Sequence, residues 1–495
     1  VVVMKLSVII KRAFGRIIGK IDMYRPCLYV LPLGLCASCA FAQGGFDGAH
    51  MSIWWAFPFI MVLLTVAVVP LLNKHFWEEN DSKILGLWVL LFLFPFFYVF
   101  GINTAGKEVL RCLIEEYIPF ILLLLALYTV SGGILVWGPL RGTPKNNVIL
   151  LAIGTCLASL MGTTGAAMLT VRPLIRANAT RTYRVHSLLF FIFLVANIGG
   201  GLTPIGDPPL FLGFLQGVSF LWIFEHMAAP VVLNTLLLLA VFFCLDQFFY
   251  KKEILNKEHI FPPLATGKNS GFRLYGKINL LLLVLIVTAV VISGIWHPGS
   301  FTVLGIKVAY ESLLRDIALI IIIFISLIFT DKQVRSGNEF DWEPIWEVGQ
   351  LFLAIFIVII PVLSILKAGE SGAFSPLIKL VNDVHGQPIN PLYFWISGGL
   401  SSFLDNAPTY FVFFNLACGD AHYLMQQAPQ TLLSISMGSV FMGAITYIGN
   451  APNLMVRSIA IQREVQMPGF FKYISYSLLV LVPVFLIDML VFLMH

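Results

Sequence analysis

The sequence predicts an all-α polytopic membrane protein, and three observations carry that reading. The 495 residues are 58% hydrophobic and only 12% charged, where soluble domains run near a quarter charged. Mean hydropathy is +0.89. Finally, the apolar residues fall into runs of about 20 residues, the length that spans a ~30 Å hydrocarbon core. A soluble multidomain enzyme, a disordered chain and a coiled coil are all excluded.

The runs lie near 51–72, 84–101, 117–137, 148–170, 187–215, 218–248, 279–296, 312–330, 346–366, 391–418, 431–456 and 474–494. Four of them are interrupted. Gly162-Thr163-Thr164-Gly165 breaks the fourth, and the fifth contains Gly199 to Pro209, with four Gly and three Pro in eleven residues. No continuous helix passes through that string. Ser401 to Thr409 breaks the tenth run and Thr446 to Asn453 the eleventh.

These breaks repeat. Thr203 to Pro209 and Thr446 to Pro452 share T-x-I-G-[DN]-x-P at an offset of 243 residues. Thr163 precedes Asp207 by 44 residues, and Asn406 precedes Asn450 by the same 44. Residues 51–215 are therefore expected to form one repeat and 279–461 a second. Each holds three transmembrane helices, a re-entrant hairpin and a broken helix. A linking helix spans 218–248, a basic cytoplasmic loop 249–278, and a C-terminal helix 474–495. If each hairpin enters and leaves on one side, a repeat crosses four times. The linker makes five, an odd number, so the halves would be inverted.

Charge supports that arrangement. With the leader and the loops at 73–83, 138–147, 172–186, 249–278, 331–345 and 457–473 assigned to one side, 25 of the 31 Lys and Arg lie there. The positive-inside rule makes that side cytoplasmic. Both mature termini would then face outward from a bacterial inner membrane. Residues 1–42 read as a signal-like leader, cleaved or kept as an anchor. Its basic stretch runs from Lys5 to Arg25, and Ala40-Phe41-Ala42 resembles a cleavage site. Cys36 and Cys39 form a CxxC inside this apolar leader, which argues against a redox or metal role. The formal +5 charge is thus an orienting charge on loops. No nucleic-acid partner is expected.

Irregular backbone survives at membrane depth only where it lines a protein-walled cavity. Paired interruptions in two halves point to a transporter's binding site. An acid at that depth costs on the order of 3 kcal/mol or more and is a functional candidate. Asp207 and Asp405 are the two acids placed deep; the bland alternatives are a helix N-cap for Asp207, before Pro208, and a solvated turn for Asp405. Asn406 and Asn450 are neutral oxygen donors or caps. Thr163, Thr164, Thr203 and Thr446 are weaker candidates, since threonine also bonds to its own helix backbone. Asn197, Thr409 and Asn453 lie in the same strings and complete the set. Asp488 and Glu225 fall near span ends and read as structural.

Other motifs fail. Gly101 to Lys107 has P-loop spacing, but Glu108 stands where Ser or Thr would hold Mg²⁺. The nine histidines show no paired metal-ligand spacing. An intramembrane aspartyl protease would carry GxGD, and Pro204 breaks that pattern.

The string Asn197-Ile-Gly-Gly-Gly-Leu-Thr-Pro-Ile-Gly-Asp-Pro-Pro209, with Leu404 to Thr409 and Gly449 to Asn453, resembles the ion transporter superfamily. Within it the likeness is to the citrate-transporter/ArsB/NhaD branch, closest to NhaD-like sodium/proton antiporters, over roughly 51–494. The resemblance implies Na⁺/H⁺ exchange at Asp207 and Asp405, with Na⁺ and H⁺ as transported ions and no cofactor. It also implies an elevator-like motion of the hairpin-bearing core and a homodimer. Arsenite and citrate carriers share much of the string and stay open as alternatives. Carboxylate carriers of the superfamily place Ser-Asn-Thr at both hairpin tips; here Gly162-Thr163-Thr164 and Asp405-Asn406-Ala407 stand there instead.

Overall fold

The computed structural model describes residues 46–255 and 273–494 apart from positions 139 and 384. The leader and most of the basic loop, including Cys36 and Cys39, lie outside them. Among the described residues, eight helices are long and apolar enough to cross a membrane, or nine if one bent pair counts as a single span. The chain is an all-α polytopic membrane protein.

Helix α1 (Phe57–Leu72) turns at Asn73, whose side chain accepts the amide of Phe76 at 3.0 Å, into α2 (Lys74–Cys112). α2 corrects the expected span boundaries. It kinks at Gly101 (φ 74°, ψ 157°) but continues helically through the region expected as a loop, and a π turn joins it to α3 (Ile118–Ser131). Lys107, Glu108 and Arg111 interrupt the apolar run without interrupting the helix. Arg111 pairs with Glu115 one turn on at 2.9 Å, while Ala105 and Cys112 are buried. The P-loop-like string is helical.

α4 (Pro144–Met161) and α5 (Thr163–Ala177) form a hairpin whose tip is Gly162. Asn147 and Asn178 exchange side-chain bonds of 3.0 and 2.8 Å across its base. The next run is a broken helix: α6 (Val185–Leu194), a 3₁₀ turn at Ile198–Leu202, then α7 (Pro208–Leu215). The linking helix α8 (Phe220–Leu255) follows and outlasts the expected span by seven residues.

The second half runs α9 (Ile278–Ile295), α10 (Tyr310–Phe329), the short α11 (Lys332–Gly337), then α12 (Glu343–Val358) and α13 (Ile360–Lys367) bent by 44°. After α14 (Ser375–Val381) comes the hairpin α15 (Asn390–Leu404) and α16 (Asn406–Leu416), its tip at Asp405. The short α17 (Ala421–Gln426) precedes the second broken helix, α18 (Pro429–Phe441), a 3₁₀ turn at Met442–Ile445 and α19 (Ala451–Gln462). α20 (Phe470–Asp488) closes the chain, followed by a π turn.

Backbone and side-chain contacts gather the basic loops at one end of the bundle. Strand β1 (Leu135–Trp137) pairs with β2 (Arg273–Tyr275) there. Asn338 donates to the carbonyls of Gly132 and Ile134 at 3.0 and 2.6 Å. Arg184 donates to the Glu464 carbonyl at 3.0 Å. The hairpin β3 (Ser300–Val303) and β4 (Ile306–Ala309) joins α9 to α10.

Candidate functional site

Each hairpin is fastened to its own broken helix by the same pair of bonds. In the first half the Ser159 hydroxyl donates to the Gly199 carbonyl, and Thr203 donates back to the Ser159 carbonyl at 2.5 Å. In the second, Ser402 donates to the Met442 carbonyl at 2.8 Å and Thr446 to the Ser402 carbonyl. All four residue pairs are related by the 243-residue offset. The breaks fold on themselves through glycine: a Cβ on Gly206 would lie 2.2 Å from the Gly200 carbonyl oxygen, and one on Gly449 2.6 Å from that of Gly443. Only glycine permits such a crossing.

The tips meet the breaks around Asp207, which is 1% exposed. Its Oδ1 accepts from Thr163 Oγ1 at 3.1 Å and Asn450 Nδ2 at 3.2 Å; its Oδ2 accepts from Asn406 Nδ2. One residue from each tip and one from the second break thus converge on a single carboxylate of the first break. Every donor is neutral. Asp207 occupies the N-cap position of α7 without a capping side-chain bond, and Asn450 does the same at α19. The capping alternative therefore fails for both, because the side chains turn into the site. The Asn406 Oδ1 oxygen is buried and accepts nothing among the described residues.

Asp405 sits beside this group at the second tip, partly buried, its carboxylate accepting the Asn406 amide at 2.7 Å. Its backbone (φ 74°, ψ 148°) matches that of Gly162 at the first tip (φ 78°, ψ 151°). That region is essentially reserved for glycine and costs an aspartate of order 1–3 kcal/mol.

Asn197 ties the two breaks together. It donates to Asn453 Oδ1 at 2.8 Å, and Asn453 donates to the carbonyls of Gly443 and Thr446, both at 2.9 Å. The remaining candidates divide. Thr409 back-bonds to the Asp405 carbonyl at 2.8 Å, inside its own helix. Thr203 and Thr446 fasten hairpins rather than touching Asp207. Thr164 lines a cavity of about 70 Å³ beside the first tip, room for several waters. α3 and α12 form one wall of that cavity; the first tip, the first break and α19 form the other. Thr163 borders both the cavity and Asp207.

The depth follows from α8. Val231, against Gly201 of the first break, lies eleven residues, about 16 Å, from the start of α8. Asp246, which pairs with Arg181 at the basic end, is a further fifteen residues, about 22 Å, along it. The break is near the middle of the bundle.

Three further acids are buried, and of these the sequence singled out only Asp488. Asp488 is fully buried rather than near water, accepting both bonds of 2.8 and 2.9 Å from Asn234 on α8. Asp246 and Glu253 are also fully buried, sharing Arg181 at 2.5 and 3.0 Å, with His186 2.8 Å from Asp246. Both lie on the extended α8, whose polar face a hydropathy scan averages away. Glu225 is exposed near the start of α8.

Residues 48–493 match a family described as "CitMHS_2: Putative citrate transport". The chain belongs to this family. Two uncharacterized transporters, of Mycobacterium bovis and of Mycobacterium tuberculosis, are each 25% identical over 330 residues, 65% of this chain and 70% of theirs. A 46 kDa membrane protein of Mycobacterium leprae is 22% identical over 334 residues, 66% of this chain and 72% of its own length. The CitMHS_2 chain described here is thus a multi-span membrane protein of a transporter family.

Proposed function

We propose that this CitMHS_2 chain is a secondary active transporter, not an enzyme, exchanging Na⁺ (or Li⁺) for H⁺ across a bacterial inner membrane. One observation carries the reading: a buried carboxylate of the first break, Asp207, enclosed by neutral donors from both tips and the second break, with a second carboxylate, Asp405, next to it. Carboxylate, amide and hydroxyl oxygens suit a hard cation. The two acids would alternately hold a proton or the cation, with the Asn406 oxygen and break carbonyls completing the shell. The two halves act as inverted repeats with re-entrant hairpins, and the basic end faces the cytoplasm. The elevator-like motion and the homodimer implied by the superfamily resemblance belong to the same proposal.

The family description favours a second reading, carriage of citrate. A tricarboxylate entering this site meets two acids, and no cationic side chain bonds to Asp207 among the described residues. Citrate would have to come as a metal or proton complex; arsenite, the other solute carried in the branch, would come as a neutral acid. Everted vesicles separate these outcomes. Adding Na⁺ to vesicles acidified by respiration should release protons, and Asp207→Asn or Asp405→Asn should abolish the release. If vesicle pH ignores Na⁺ while labelled citrate or arsenite accumulates, the cation reading is wrong.

A further inference from the structure

The loop between α11 and α12 is fixed to α3. Asn338 bonds to Gly132 and Ile134, and the Tyr128 hydroxyl donates to the Asp341 carbonyl at 2.5 Å. Phe340 packs against Tyr128 in a tilted pair with ring centres 5.1 Å apart and lies under Arg335 at 4.9 Å. From this anchored loop Glu339, in a left-handed conformation (φ 49°), reaches two arginines of other elements. It receives Arg172 of α5 at 3.4 Å on one oxygen and Arg463, just beyond α19, on the other.

Those attachments coincide with the cavity walls. α3 and α12 form one wall, and Glu339 belongs to the loop that joins them in space. The first hairpin and α19 contribute to the facing wall, and they supply Arg172 and the residue after Gln462. One carboxylate therefore spans the seam at its basic end from one wall to two elements of the other. Arg172 is nearly enclosed, its side chain 10% exposed, whereas Glu339 and Arg463 are about half exposed.

We infer that Glu339 is a latch across the mouth of the cavity, holding the hairpin-bearing wall against the α3–α12 wall until both arginines are released. The Glu339–Arg463 pair, about half exposed on both sides, is weak and screened by salt. That suits a contact broken in every cycle, since a strong one would trap the closed state. The inference goes beyond the identity of the transported ion. It rests on the transport reading only in assuming that the cavity opens.

The test is the rate at which a membrane-impermeant maleimide labels Ile345→Cys, on the cavity wall, in the full chain in nanodiscs, read at that peptide by mass spectrometry. Adding Glu339→Gln should speed labelling about fivefold, the scale of an exposed pair. Half-molar choline chloride should speed labelling with Glu339 intact and add little once it is removed. Arg463→Gln, at an exposed position, should reproduce the increase and decides the matter if Glu339→Gln does not fold. Unchanged rates in the folded variants overturn the latch. So does a salt effect that persists without Glu339. Labelling reads opening whether or not Na⁺ is carried, so a failed exchange assay leaves this result standing.

Discussion

At the residue scale the two tips share one backbone shape and differ in chemistry. Gly162 adopts it freely and Asp405 under strain. Asp405→Gly should therefore raise thermal stability, by up to the 1–3 kcal/mol such a conformation costs, while abolishing exchange. An unfolding midpoint that falls would contradict the strain argument. Competition makes a second prediction. If proton and Na⁺ share these carboxylates, half-saturating Na⁺ should rise as pH falls, approaching about tenfold per unit. Flux measured at several pH values checks it.

The residues around Asp207 were legible because breaks in an apolar run expose Thr163, Asp207, Asp405, Asn406 and Asn450 directly. Ser159 and Ser402 were not legible. A serine one turn before a tip has nothing in its neighbours to distinguish it from helix filler, and its partner is a carbonyl 40 residues away. Asp488 falls near a span end, where water is in reach, yet its carboxylate is buried against Asn234.

At the element scale, each hairpin depends on its break. Ser159→Ala and Ser402→Ala each remove a buried hydroxyl bond, so each should cost about 1 kcal/mol, and by similar amounts because the two geometries repeat. Unequal losses beyond about twofold in denaturation would show that the halves do not bear load equivalently. Gly206→Ala should be far worse, since its new Cβ would meet a carbonyl oxygen at 2.2 Å; loss of the folded, monodisperse protein in size exclusion is the expected outcome. Helix boundaries were the least legible feature. Hydropathy ended a span at Gly101, yet charges spaced one turn apart let the helix continue to Cys112.

At the scale of the whole molecule, scarce charge is sorted by position. Basic loops collect at one end, and the acids kept inside are either enclosed by amides and hydroxyls or paired with Arg181. The proposed orientation predicts that a cysteine at Ser336, on the basic end, reacts with impermeant reagent only from the cytoplasmic side, and one at Gly299 only from outside. Reversed labelling would invert the topology and leave the site unchanged.

Asp207 and Asp405 are proposed to exchange protons for a cation. Proton release from the purified protein in weakly buffered solution, followed with a pH indicator as NaCl is added, tests it most directly. Release should saturate with Na⁺, be absent with choline chloride, and be lost in Asp207→Asn and in Asp405→Asn. Release that persists undiminished in both variants, or no release from the native protein at any pH, would contradict it.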